Sequence, residues 1–213
     1  MNKRILFDLD GTLTDSGEGI MNCAALALEH FGIQVPDRET LRVFVGPPLD
    51  KTFREFGVSA DKTDEAIRIY RSRYIPIGKF ENFPYPGIRE MLEALKAEGC
   101  KLFVATSKPE AMSIEILEHF DMVKYFDAIC GATLDGSRST KEDVIDYLIR
   151  ENGRDGSMVM VGDTVYDILG AKAHGIDAIG VDWGYGLTQD MVDAGAVAIA
   201  YDPQQLLQLL INR

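Results

Sequence analysis

Short apolar runs rich in β-branched residues alternate with helix-period segments along most of this 213-residue chain. Between the runs, apolar residues recur three and four positions apart, and Gly99, Gly153 and Gly175 mark the ends of three such segments. This alternation predicts a Rossmann-like α/β core, in which helices cover a parallel sheet. The predicted strands are residues 5–8, 102–105, 128–130, 158–161, 178–181 and 197–200.

One stretch, residues 16–79, breaks the alternation because it contains helical patterns and no strand pattern. Apolar residues recur at helical spacing from Ile20 to Phe31 and again from Ile67 to Ile77. We therefore predict an all-helical domain of residues 16–79, inserted after the first strand. The core domain then consists of residues 1–15 and 80–213.

The charge composition limits the partners of the chain. With 22 basic and 34 acidic residues, its formal net charge is −12, so nucleic-acid polymers and anionic membranes would repel it. No apolar run approaches the roughly 20 residues that span a bilayer, and Asp8 and Asp10 interrupt the first apolar run too early for a secretory signal. Three cysteines without metal-binding spacing indicate buried free thiols. We expect a cytoplasmic protein.

Carboxylates follow two of the predicted strands. The segment F-D-L-D-G-T places Asp8 and Asp10 two positions apart, so their side chains share a face at the carboxyl edge of the sheet, where ligands bind in open α/β folds. Asp163 follows a later strand in the segment G-D-T-V-Y-D, and Asp167 lies four residues further on in a helix. Clustered carboxylates call for a hard cation, and Mg²⁺ suits phosphate chemistry.

Hydroxyl groups follow a third predicted strand, in the segment T-S-K-P-E. Thr106 ends the strand, and Ser107 with Glu110 matches a capping box at the start of a helix. Hydroxyls and free N–H groups at a helix N-terminus make an anion site. Taken alone, the segment is better explained as an ordinary helix cap.

A lysine occupies the first turn of another predicted helix, in the segment S-T-K-E. Ser139 and Glu142 match a second capping box, which puts Lys141 where its charge opposes the helix dipole at a small cost. The functional interpretation is a lysine aimed at a phosphate or a carboxylate. An ordinary surface lysine is an alternative that this segment alone does not exclude.

Taken together, the segments resemble the haloacid dehalogenase-like superfamily. Its four motifs occur in order: D-L-D-G-T, the threonine at Thr106, the lysine at Lys141, and G-D-T-V-Y-D. The inserted helical domain looks like the C1 cap of that family. The segments E-N-F-P-Y-P-G-I and F-V-G-P-P-L are similar to the phosphoglycolate phosphatase-like branch, which includes 5′-nucleotidase-like members.

The resemblance implies a Mg²⁺-dependent phosphatase in which Asp8 forms an aspartyl-phosphate. Asp10 would act as general acid and then as general base. The carboxylates of Asp8 and Asp163 and the main-chain carbonyl of Asp10 would hold Mg²⁺, while Asp167 would orient Lys141 or a metal-bound water. Thr106 and Lys141 would stabilise the charge on the transferring oxygens. The phosphate contacts that it implies are Gly11, Thr106, Ser107 and Lys141.

The expected substrate is a small phosphorylated metabolite. Dehalogenases of the superfamily lack the second aspartate because a halide leaves without a proton, so Asp10 indicates an ester with an alkoxide leaving group. Phosphoglycolate or a similar phosphomonoester is the first expectation. A 5′-nucleotidase, a sugar-phosphate mutase and a non-catalytic binding protein are the alternatives. Candidate substrate contacts, chosen because cationic side chains bind carboxylates and phosphates, are Arg42, Lys51 and Lys108.

Overall fold

The computed structural model describes residues 3–212 and divides the chain into two compact units. The core unit comprises Met1–Thr14 and Pro84–Arg213, and the insert unit comprises Asp15–Phe83. Residues 16–79, the predicted helical insertion, all fall in the insert unit. Residues 1, 2 and 213, which the predicted core domain includes, lie outside the described residues.

Within the described residues, six parallel strands form one sheet in the order β5-β4-β1-β6-β7-β8. Two further strands, β2 and β3, pair with each other where the chain passes between the units. The predicted parallel α/β sheet is thus confirmed. The strand bounds are β1 (Lys3–Phe7), β2 (Thr14–Asp15), β3 (Phe83–Pro84), β4 (Lys101–Pro109), β5 (Ala128–Ala132), β6 (Ser157–Gly162), β7 (Asp177–Val181) and β8 (Ala198–Ala200).

The insert unit is helical, and buried aromatic rings fill its interior. The Phe53 ring lies 5.0 Å from Phe44 and 6.4 Å from Tyr70, and Tyr70 stacks on Tyr74 at 5.2 Å. These rings therefore serve the packing of the unit. The helices are α1 (Gly17–His30), α2 (Arg38–Leu41), α3 (Leu49–Glu55) and α4 (Thr63–Tyr74), with 3₁₀ turns at Arg42–Phe44, Ala60–Lys62 and Gly78–Phe80.

Helices cover both faces of the sheet in the core unit. They are α5 (Ile88–Ala97), α6 (Glu110–His119), α7 (Lys141–Asn152), α8 (Val165–Ala173), α9 (Thr188–Ala194) and α10 (Pro203–Ile211). Along β1, Ile5 and Phe7 belong to one buried cluster with α5, α6 and α10, whereas Leu6 belongs to the other with α7, α8 and α9. A sheet buried on both faces needs strands that are apolar throughout, which is the pattern of the sequence.

Two expectations from the sequence, on the cysteines and on membrane-spanning segments, can be compared with the described residues. Cys23, Cys100 and Cys130 are buried and free, as predicted. Burial raises the pKa of each thiol, which keeps the thiols protonated and unreactive. Among residues 3–212, no helix has both the length and the apolar character to cross a bilayer.

Candidate functional site

The predicted site residues of the core unit meet at the carboxyl edge of the sheet. Strand β1 lies between β4 and β6 and pairs with both in parallel register. Asp8 directly follows β1, Asp163 directly follows β6, and Thr106 lies in the last part of β4. Because parallel strands end at the same edge, three neighbouring strands deliver these side chains to one place.

Three buried carboxylates form a cluster there: Asp8, Asp163 and Asp167 each offer an oxygen within 4.8 Å of the others. Burial, together with the charges of Asp167 and Asp8, raises the pKa of Asp163 to about 8. Burial also raises the pKa of Asp8. A cation stabilises buried carboxylates that lie this close together, and carboxylate oxygens are the ligands that Mg²⁺ prefers. The residues therefore fit a magnesium ion, although the participation of the Asp10 carbonyl stays a prediction.

Lys141 bridges two members of this cluster. Its Nζ lies 2.8 Å from Asp8 Oδ1 and 2.8 Å from Asp167 Oδ1, and it donates to the Ala105 carbonyl at 2.9 Å. Burial lowers the pKa of Lys141, but the charges of Asp167 and Asp8 outweigh burial, so the pKa lies above its ordinary value. The buried hydroxyl of Thr106 also hydrogen-bonds Asp8, and with Lys141 it offsets part of the rise that burial causes in the pKa of that carboxyl. Asp8 is thus held from two sides.

The helix that carries Lys141 is capped by different residues from those predicted. The Thr140 hydroxyl accepts the N–H of Asp143 at 3.1 Å, and the Asp143 carboxylate accepts the N–H of Thr140 at 3.0 Å. The predicted box of Ser139 and Glu142 is therefore wrong by one residue, because Thr140 with Asp143 offers the same reciprocal bonds. Lys141 is the first residue of α7 and lies in its first turn, as predicted.

The capping box predicted at Ser107 and Glu110 is also wrong. Strand β4 continues through Pro109, with a register shift against β5 between Thr106 and Pro109, and α6 begins only at Glu110. The Glu110 carboxylate cannot reach back because it pairs with Arg138 at 2.8 Å and accepts a main-chain N–H of β5. Ser107 is a half-buried strand residue, and its contact with phosphate stays a prediction.

The Asp163 carboxylate is held by two hydrogen bonds that were not predicted from the sequence. Its Oδ1 accepts the Thr12 hydroxyl at 3.2 Å, and its Oδ2 accepts the N–H of Tyr185 at 2.8 Å. A Cβ at Gly11 or Gly184 would lie 2.1 or 2.3 Å from the Asp163 side chain, so only glycine allows this packing. Gly11 and Thr12 belong to the D-L-D-G-T segment, but the segment 183–186 has no comparable sequence signal.

The three candidate substrate contacts lie in different surroundings. Lys108 is in the core unit, with its Nζ 2.7 Å from Asp10 Oδ2. Arg42 and Lys51 are in the insert unit, and each lies 3.9 Å from a glutamate one helical turn away. Such long, exposed pairs contribute little to stability. The contribution of Arg42 and Lys51 to substrate binding stays a prediction.

The fold is a parallel α/β sheet covered by helices, and three buried aspartates cluster at the carboxyl edge of that sheet. Residues 5–181 match the family model described as haloacid dehalogenase-like hydrolase. The chain therefore belongs to the haloacid dehalogenase-like hydrolase family, and the resemblance that the motifs indicate is confirmed.

Three relatives show which members of the family are similar to the chain. A protein named 5′-nucleotidase from Pseudomonas aeruginosa is 43% identical over 189 residues, which cover 88% of this chain and 86% of that protein. Tyrosine-protein kinase PtkA from Mycobacterium tuberculosis is 41% identical, over 92% of this chain and 67% of that protein. A phosphoglycolate phosphatase from Nitrosospira multiformis is 27% identical, over 97% and 96% of the two chains.

Among solved structures, a predicted phosphatase from Clostridium acetobutylicum is similar over the full length of both chains. It has a TM-score of 0.94 and 43% sequence identity. The likeness therefore includes the helical insertion as well as the sheet. Two of these three relatives and this structure carry nucleotidase or phosphatase names, whereas the relative PtkA is named a tyrosine-protein kinase.

Proposed function

We propose that this protein is a Mg²⁺-dependent phosphatase that hydrolyses a small phosphomonoester through an aspartyl-phosphate. The observation that carries the proposal is the buried cluster of Asp8, Asp163 and Asp167 with Lys141 at the carboxyl edge of the sheet. A nucleophile, a set of cation ligands and a fixed positive charge are thereby held together. In-line phosphoryl transfer needs these three components.

In the first step, Asp8 attacks the phosphorus. A carboxylate oxygen of Asp8 forms a bond to phosphorus as the ester P–O bond breaks, and Asp10 gives its proton to the departing alkoxide. Lys141 and Thr106, which already contact Asp8, stabilise the charge on the transferring oxygens. When bound by Asp8, Asp163 and the Asp10 carbonyl, Mg²⁺ supplies positive charge that reduces repulsion between nucleophile and phosphate.

In the second step, water hydrolyses the aspartyl-phosphate. Asp10, now ionised, takes a proton from the water as its oxygen attacks the phosphorus. The bond between Asp8 and phosphorus breaks, inorganic phosphate leaves, and both carboxyl groups return to their starting state. Asp167 holds Lys141 at 2.8 Å throughout, so the ammonium keeps its place beside Asp8.

Two substrate classes are compatible with this chemistry. Nucleoside 5′-monophosphates are favoured by the 43% identity to the relative named 5′-nucleotidase, against 27% to the phosphoglycolate phosphatase. Phosphoglycolate, the first expectation from the sequence, is the second candidate. Either substrate releases an alkoxide that requires a proton, which accounts for Asp10.

Phosphate release from both classes, with Mg²⁺ or with EDTA, tests the proposal. We expect wild type to release phosphate only with Mg²⁺, and Asp8→Asn to be slower by more than about 1,000-fold, because the nucleophile is lost. The matched control is Asp146→Asn, which removes an exposed aspartate of α7 that lies 3.5 Å from Arg150. It should retain full activity.

Other outcomes of the same assay would contradict the proposal. Equal rates for wild type and Asp8→Asn would exclude Asp8 as the nucleophile. An isomerised phosphate ester without free phosphate would indicate a mutase. If no substrate released phosphate, the alternative of a binding protein that has lost catalysis would be favoured.

A further inference from the structure

Lys108 forms a largely buried ion pair with Asp10. Its Nζ lies 2.7 Å from Asp10 Oδ2, and the two side chains are only 6% and 15% exposed. If one partner of a buried ion pair is removed, the other charge stays buried without compensation. A buried pair therefore holds its two side chains in place more strongly than an exposed pair does. The orientation of the Asp10 carboxylate therefore depends on Lys108.

The main chain at Lys108 is itself fixed by the irregular end of β4. The register against β5 shifts between Thr106 and Pro109, and bulges of this kind redirect side chains beside active sites. A Cβ on Gly131 of β5 would lie 2.6 Å from the Lys108 carbonyl oxygen, so the two backbones are in close contact. The N–H of Lys108 also donates to the Thr106 hydroxyl at 3.3 Å.

The two oxygens of Asp10 are in different situations. Oδ2 faces Lys108, whereas Oδ1 is buried and has no hydrogen-bond partner among the described residues. An ammonium group only donates hydrogen bonds, so the oxygen that accepts from Lys108 is poorly suited to carry the acid proton. Oδ1 is therefore the oxygen that Lys108 leaves available for proton exchange.

We infer that Lys108 is a positioning residue that fixes the Asp10 carboxylate so that Oδ1 exchanges the proton with the leaving group and then with water. The inference rests on the proposed phosphatase function and specifies how its general acid–base residue is held. It differs from the sequence prediction that Lys108 contacts the substrate. Lys108 acts through Asp10 and does not touch the reacting atoms.

Leaving groups that differ in their need for a proton test this inference. An alkyl phosphate, either AMP or phosphoglycolate, needs a proton as its P–O bond breaks, but 4-nitrophenolate leaves without one. In Lys108→Met, we expect the single-turnover rate of alcohol release to fall about 10- to 100-fold and the burst of 4-nitrophenolate to change by less than about threefold. Lys108→Arg retains the charge and should recover part of the lost rate.

Lys96→Met is the matched control. Lys96 pairs with Asp127 at 2.9 Å, and Asp127 also accepts the N–H of Leu102 near the start of β4, at the opposite edge of the sheet. Both substrates should react with this variant at the wild-type rate. Lys108→Gln provides a second neutral variant if Lys108→Met does not fold, and circular dichroism checks the fold of each.

Four outcomes would overturn the inference. Equal losses with both leaving groups would show that Lys108 only supports the local structure. A raised KM with unchanged kcat would show that Lys108 contacts the substrate. If wild type releases no phosphate from any ester and matches Asp8→Asn, the proposed function itself fails, and the inference fails with it. If the wild type is active and the Lys108 variants react at the wild-type rate, only the inference about Lys108 fails, and the proposed function stands.

Discussion

At the scale of single residues, Asp163 gives the strongest argument that the acidic cluster would bind a cation. Its carboxylate is buried against Asp8 and Asp167, and the nearby Lys141 bonds to those two neighbours. Thr12 and Tyr185 each donate one hydrogen bond to Asp163, but neither carries a positive charge. The charged form of Asp163 is therefore costly until a cation or a proton reaches it.

The pKa of Asp163 predicts how pH and Mg²⁺ affect stability. In the metal-free protein this pKa is about 8, against about 3.9 for an aspartate of the unfolded chain. Between those pH values the native state binds more protons than the unfolded state, so the free energy of unfolding falls as pH rises toward 8. We expect Mg²⁺ to raise the Tm more at pH 8 than at pH 5, by on the order of 5 °C.

Thermal unfolding between pH 5 and pH 9, in EDTA and in Mg²⁺, measures this effect. Asp163→Asn should flatten the decline of Tm with pH in EDTA, because asparagine has no charge to bury. The exposed variant Asp146→Asn should behave like wild type. A Mg²⁺ effect of equal size at both ends of the pH range would contradict the prediction.

At the scale of secondary-structure elements, the start of α7 determines where Lys141 lies. The Thr140 and Asp143 capping box fixes the first turn, and Lys141 is its first residue. Loss of a capping side chain costs about 1 kcal/mol of stability and loosens the first turn of a helix. An exposed cap therefore contributes to the position of the Lys141 ammonium group, although the Lys141 residue is only 4% exposed.

Thr140→Ala tests this link between capping and activity. We expect a loss of about 1 kcal/mol in the free energy of unfolding and a drop in kcat of about 3- to 10-fold, because Lys141 is less firmly placed. The control is Asp202→Ala, which removes the residue that caps α10 by accepting the N–H of Gln205 at 2.7 Å. For Asp202→Ala, we expect a similar loss in the free energy of unfolding and a kcat equal to that of the wild type. Equal kcat losses in both variants would contradict the link.

The elements also show which parts of the site sequence patterns can predict. The positions of Asp8, Thr106 and Asp163 were predictable because apolar runs locate strands, and parallel strands end at one edge. The caps at Ser107 and Ser139 were mispredicted because Ser, Thr, Asp and Glu are nearly interchangeable in these motifs. Local sequence does not show that pairing with β5 extends β4 through Pro109.

Contacts between distant segments lay beyond the sequence patterns. Lys108, which pairs with Asp10, lies within the register shift of β4, where Gly131 of β5 comes close to its main chain. The bond from Tyr185 to Asp163 joins a loop to a strand end, and the 20 or so residues between them show no periodic relationship. Such contacts are set by tertiary packing, which composition and periodicity do not encode.

At the scale of the whole molecule, the net negative charge lies outside the helical stretch of residues 16–79. Residues 16–79 contain nine basic and nine acidic residues, whereas the rest of the chain contains 13 basic and 25 acidic residues. The predicted core domain, residues 1–15 and 80–213, therefore accounts for the whole net charge of −12. In the proposed phosphatase reaction, attraction of the anionic substrate would then come from short-range groups such as Lys141 and the Mg²⁺ that the acidic cluster would bind.

This charge distribution predicts an unusual salt dependence for an enzyme with an anionic substrate. Salt screens the repulsion between the acidic core and the phosphate but affects the buried contacts much less. With saturating Mg²⁺, kcat/KM should rise, by less than about threefold, as ionic strength increases from about 20 to about 200 mM. Sodium chloride and tetramethylammonium chloride should act alike, which controls for specific ion binding. A tenfold fall would instead show that the field of the whole protein attracts the substrate, and the acidity of the core would then have to be offset by cations that the insert unit presents.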